Sequence, residues 1–178
     1  AAEAFEAALV VDPVRIEAMR WLQGLAREGD DLEKLASWLA MESEVETDPR
    51  RRALVHARLG DAYRRAGKDD SARKSYEAAL VSDPQQATAL RHLAPLLRKE
   101  KEWKRLAGAL ETLARVEPDK HARVERLVML GEIRSRRLDD KAGARGAFDE
   151  ALAVEPDNLE ALRGRAKLLD PKKETKEL

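Results

Sequence analysis

ARKSYEAALVSDP, residues 72–84, decides the fold, because the chain carries the same phrase three times. AAEAFEAALVVDP fills residues 1–13, and ARGAFDEALAVEP fills residues 144–156. Each has Ala, then Phe or Tyr four residues on, then Ala-Leu, then an acidic residue and Pro. Apolar residues at three- and four-residue intervals lie on one face of a helix. The proline closes that helix, since the residue before it disfavours helical backbone. Pro13, Pro84 and Pro156 stand 71 and 72 residues apart.

A second family of segments interleaves with the first. Asp31-Leu32-Glu33-Lys34-Leu35-Ala36 is answered 71 residues later by Glu102-Trp103-Lys104-Arg105-Leu106-Ala107. Two interleaved families at that spacing define a doubled unit of about 35 residues, the signature of a helical repeat array. Composition agrees. The chain has 43% hydrophobic and 38% charged residues but only 4% aromatics. That profile suits long amphipathic helices and lacks the β-branched and aromatic residues that several strands need. The periodicity predicts helices over 2–11, 15–28, 31–46, 50–66, 69–82, 86–99, 102–116, 120–138, 140–154 and 158–169. Gly29 and Gly67 fall where first helices must stop. Asp69-Asp70 and Asp139-Asp140 fall where second helices start, at the positive end of the dipole.

The unit is most complete over residues 53–86, where Leu59-Gly60, Tyr63, Ala72, Tyr76, Ala79 and Pro84 stand at the landmarks of the tetratricopeptide repeat. His56 replaces the usual opening aromatic. Residues 124–158 resemble the same family through Leu127, Leu130-Gly131, Phe148, Ala151 and Pro156. Residues 16–49 and 87–120 resemble it more weakly, keeping Leu35, Leu39, Leu106 and Leu110. The resemblance implies an all-α, right-handed α-solenoid of antiparallel helix pairs, of the bacterial multi-repeat type to which the Ala- and Arg-rich usage points. It divides the chain into a second helix at 1–13, four repeats at 16–49, 53–86, 87–120 and 124–158, a capping helix at 159–170 and a charged tail at 171–178. The N-terminal helix, with Phe5 and Leu9 unpartnered, reads as part of a broken repeat. Arg163, Arg165 and Lys167 are expected to make the outer side of the last helix polar.

Charge and chemistry narrow the function classes. Lys plus Arg and Asp plus Glu number 34 each, so no net charge draws the chain to nucleic acid or anionic membranes. Cysteine is absent, which removes disulfides and thiolate metal sites and is compatible with the cytosol, the expected compartment. No apolar run spans a membrane. His56, His92 and His121 lie outside any ligand spacing, and no Gly-rich phosphate loop or nucleophile–base pair occurs. The expectation is therefore a non-enzyme without cofactor or metal.

In tetratricopeptide arrays the first helices line a concave groove, and the resemblance carries groove positions to Glu17, Arg20, Gly24, Arg27 and Glu28, to Leu54, Ala57, Asp61, Arg64 and Arg65, to Thr88, Arg91, Pro95, Arg98 and Lys99, and to Glu125, Val128, Glu132, Ser135 and Arg136. The implied function is a scaffold holding a peptide or protein partner there, an acidic segment fitting the central Arg64, Arg65, Arg91, Arg98 and Lys99, since arginine forks pair carboxylates. A clamp of groove asparagines is not expected, Asn158 being the chain's one Asn. The alternative is a spacer or self-association module, which leaves homo-oligomers open. Pro95 should kink its helix, and Trp21, Trp38 and Trp103 should be at least partly buried between repeats.

Overall fold

A computed structural model describes residues 2–169; the expected tail at 171–178 lies outside the described residues. Among the described residues ten α-helices follow one another: α1 (Ala2–Val11), α2 (Ile16–Glu28), α3 (Leu32–Val45), α4 (Pro49–Arg65), α5 (Asp69–Ser82), α6 (Ala87–Lys99), α7 (Trp103–Val116), α8 (Lys120–Arg137), α9 (Lys141–Val154) and α10 (Leu159–Leu169). No strand occurs among the described residues.

The helix starts are fixed by side chains that satisfy otherwise unpaired amides. Asp31, Asp48, Asp119 and Asp140 accept from the amides of Lys34, Arg51, Ala122 and Gly143 at 2.7–3.0 Å. Pro49 adds its preset φ at the first turn of α4. Asp69 and Asp70 lie inside the first turn of α5, whose cap is Lys68. The turn from first to second helix needs one residue in the left-handed region. Asp30, Gly67, Lys101 and Asp139 take it, at φ 51°, 70°, 60° and 51°. Both glycines stand where the first helices stop, as expected, Gly29 as the C-cap of α2 and Gly67 just past the C-cap of α4; the left-handed step is taken by Gly67 itself in one turn and by Asp30 in the other. Asp tolerates that conformation better than most residues through local hydrogen bonding.

The helices group into two compact units, Ala1–Leu93 and Ala94–Leu178, whose boundary falls inside α6 beside Pro95. In the first unit α1 packs on α2, α2 on α3, α3 on α4 and α4 on α5. One cluster joins Leu9, Ala18, Met19 and Leu22 with Phe5 and Trp38. Another joins Ala26, Leu35, Leu39, Val55, Leu59 and Ala62 with Tyr63. In the second unit α7 packs on α8, α8 on α9, and α10 on both α9 and α8. Its core is Val124, Leu127, Val128, Ala144, Phe148, Ala151 and Ala161.

Two glycines set how closely the helix pairs approach. A Cβ at Gly60 would stand 2.5 Å from the Tyr76 ring, and one at Gly131 2.6 Å from Phe148. Each aromatic ring thus lies flush on the backbone of its partner helix, and Tyr76 and Phe148 are buried. Of the tryptophans, Trp38 and Trp103 are half-buried, and Trp21, 36% exposed, stacks on Phe5 at 4.2 Å. Arg137 covers the Trp103 ring at 5.0 Å.

Candidate functional site

The groove cations picked out by the sequence meet different fates. Arg20 is committed to folding: its Nε lies 2.6 Å from Glu42 Oε1 and a terminal nitrogen 3.3 Å from Glu46 Oε2. Both carboxylates are buried, and Gln23 donates to the other Glu42 oxygen at 2.7 Å. A buried carboxylate requires such partners. Arg65 pairs with Asp30 at 2.7 Å across exposed surface. Arg27 is exposed in the last turn of α2. Arg64 hydrogen-bonds the Tyr76 hydroxyl, which donates to Asp61 at 2.7 Å. Arg91 is exposed on the part of α6 within the first unit. Arg98 and Lys99 are exposed in its last turn, in the second unit, where cations suit the helix C-terminus. The structure therefore brings Arg64 to Asp61 and His92, but leaves Arg20 and Arg65 with their own carboxylates.

His92 completes the Asp61 group. Its Nε2 stands 3.2 Å from Asp61 Oδ1, and its ring stacks on Tyr76 at 5.0 Å. Burial pushes the imidazole below its ordinary value; Asp61 opposes that, and Arg64 and Arg91 add to it.

A regularity links this group to the second unit. Each aromatic of the thrice-repeated phrase meets the residue sixteen positions later, on the next first helix. Phe5 meets Trp21, Tyr76 meets His92, and Phe148 meets Gly164. The third pair has no covering side chain, and a Cβ at Gly164 would stand 2.4 Å from the Phe148 ring. Phe148 also lacks the hydroxyl that Tyr76 gives to Asp61. Glu132, 71 residues after Asp61, is exposed.

Where those groups are missing, a cleft of about 320 Å³ opens between α8 and α10. Its lining includes Glu132, Ser135 and Arg136 from α8, Lys141 from α9, and Glu160, Arg163, Gly164 and Lys167 from α10. Four cations face two carboxylates. Among the described residues none of Arg136, Lys141, Arg163 and Lys167 enters an ion pair, whereas Arg165 of α10 turns to Asp149 at 3.2 Å. Ser135 and Arg136 are groove positions implied by the family resemblance. Lys141, Arg163 and Lys167 are not among the site residues that the sequence suggests; the signal for them is Gly164 at the place held by His92 and Trp21.

The tetratricopeptide repeat family model matches residues 53–86. Those residues are a tetratricopeptide repeat. No curated protein matches the chain. Among solved structures, a tetratricopeptide repeat protein from Parabacteroides merdae is 25% identical, with TM-score 0.57 over 86% of this chain. This chain spans only 58% of that one. MamA is 17% identical, with TM-score 0.55 over 87% of this chain and 86% of its own. The C-terminal part of a tetratricopeptide repeat-containing protein from Cytophaga hutchinsonii is 19% identical, with TM-score 0.53 over 92% of this chain and 65% of its own. These likenesses show the fold: an all-α solenoid of paired helices built from tetratricopeptide-type repeats. Repeats of this kind mediate protein–protein interaction, and among the described residues no helix is long and apolar enough to cross a membrane.

Proposed function

We infer that the chain is a non-catalytic scaffold that binds an acidic segment of a protein partner, and that the cleft between α8 and α10 takes it. The observation that carries this reading is the cluster of Arg136, Lys141, Arg163 and Lys167 around one opening, with no ion pair of their own among the described residues. Arginine forks bind carboxylates in two-point fashion, and lysines add unfixed positive charge. Glu132 and Glu160 in the same lining restrict the ligand to one whose carboxylates avoid those two places. The apolar edge of Leu168 suits a segment with an aliphatic side chain beside its acids. Arg20 gives no such support, since displacing its buried carboxylates would cost the fold what the ligand gained, and Arg65 already has Asp30 beside it.

The test is a titration of a panel of acidic peptides against the protein and against Arg136→Glu/Arg163→Glu. Binding should weaken as salt rises and fall by about tenfold or more in the variant, a loss of one or two charge-assisted contacts. Equal binding by both proteins would exclude the cleft as the site.

A further inference from the structure

We propose that the recess framed by α7, α8 and α9 is a second binding site, which takes one carboxylate on a short aliphatic body and holds it with Arg123 and Arg115. The recess lies within the second unit and has a volume of about 200 Å³. It shares no lining residue with the cleft between α8 and α10. Its floor is one stripe of α8, in which Arg123, Leu127, Leu130 and Arg134 recur at three- and four-residue steps and so share a face. Glu111 and Arg115 of α7 form one wall, and Gly143, Gly146 and Glu150 of α9 the other.

The two ends of the recess differ. Arg134 closes one by bridging the walls: it donates to Glu111 at 2.9 Å and to the Gly143 carbonyl at 3.4 Å, with Asp140 3.7 Å from its Nε. Its charge is already answered there. Arg115 lies one turn beyond Glu111, Glu150 two turns beyond Gly143, and Arg123 about three turns before Arg134, which sets all three at the opposite end. Among the described residues these three enter no ion pair, and the Nε of Arg123 is buried without a hydrogen-bond partner.

The first unit shows what Arg123 lacks. Arg52 is its counterpart, following the cap Asp48 as Arg123 follows the cap Asp119. Arg52 Nε donates to Ser82 Oγ at 3.2 Å. Val154 holds the place of Ser82, as Pro156 holds that of Pro84. The second unit thus keeps the arginine and loses its acceptor. A buried donor without an acceptor is unfavourable, so a ligand that brings an oxygen to it gains that pairing. α9 also opens the approach. Gly146 holds the place of Lys74, and nothing lies within 4 Å of where its Cβ would stand.

The ligand's chemistry follows from the lining. At the open end two cations face one carboxylate, an excess of one positive charge, which suits a monoanion better than a doubly charged phosphate. A guanidinium fork meets a planar carboxylate in two-point fashion. Leu127, Leu130 and Ala147 are buried in the lining and give a few methylenes apolar contact. A ligand of that kind is either a free small acid or the end of a peptide chain.

The test titrates sodium butyrate and acetylated trialanine into the protein, each beside its uncharged amide. NMR follows the side-chain Nε–H of Arg123 and the backbone amides of Gly143 and Gly146. Both acids should shift these signals saturably and the amides should not; the tighter of the two acids identifies the source. Arg115→Gln/Arg123→Gln should weaken binding by about tenfold or more, and Glu150→Gln should strengthen it by removing the competing carboxylate. Circular dichroism checks the fold of each variant. Arg115→Gln alone, at an exposed position, must also weaken binding and serves if the double variant does not fold. No saturable shift from either acid overturns the proposal, as do equal shifts from the amides. Weaker binding by Glu150→Gln overturns it too, because Glu150 would then support the site rather than oppose the ligand. Arg136, Lys141, Arg163 and Lys167 are untouched, so a failure here does not bear on the cleft between α8 and α10.

Discussion

His92 and His121 sit in opposite electrostatic surroundings and should titrate on opposite sides of the ordinary histidine value of 6.5. Burial lowers His92, so its folded form resists protonation. Its contribution to stability is whole above the unfolded value and declines as pH falls through 6.5 toward the lower folded value. A hydrogen bond from His121 to Glu155, with Glu125 nearby, raises His121, whose contribution is whole below 6.5 and declines as pH rises through the folded value. Imidazole proton shifts followed by NMR should place His92 below 6.5 and His121 above it. The reverse order would mean that the Asp61–Tyr76–His92 group is not assembled. Gly131 supplies a second test at this scale. Leucine there must displace the Phe148 ring, which a mere Cβ would approach within 2.6 Å. Gly131→Leu should cost about 1–3 kcal/mol in chemical denaturation, and an unchanged midpoint would contradict the packing of α8 on α9. Gly131 and Phe148 are legible in the sequence because a repeat displays the same solution twice. The fate of Arg20 is not, because what captures it, Glu42, lies on the following helix and looks in sequence like any exposed acid.

Among the elements, the ten helices follow the sequence periodicity to within a residue or two, since each bears its own apolar stripe and stop signal. In the turn before α3 Gly29 caps the helix while Asp30 adopts positive φ; a glycine in a turn marks the region and does not fix which residue turns. α1 buries only one of its sides, against α2. In dilute solution its amides should exchange faster than those of α4 and α5, which have neighbours on both sides or share the Gly60–Tyr76 contact. Hydrogen exchange read by mass spectrometry resolves these helices. Protection of α1 equal to that of α5 would contradict packing of α1 against α2 alone.

For the molecule as a whole, neutral net charge conceals where the charge is unspent. Cations counted on first helices without their partners point to the arginines of the middle repeats. The structure spends Arg20 and Arg65 on carboxylates and leaves Arg136, Lys141, Arg163 and Lys167 without ion pairs among the described residues. The three phrases that reveal the repeat also reveal the candidate site, through a difference among them. Trp21 and His92 cover their aromatic partners, and Gly164 does not. The most direct test is to map an acidic peptide onto the protein by amide chemical-shift perturbation. Saturable shifts should centre on Ser135, Arg136, Arg163, Gly164 and Lys167 and shrink as salt is added. Shifts centred instead on Arg64 and Arg91, or spread over every helix without saturating, would contradict binding in the cleft.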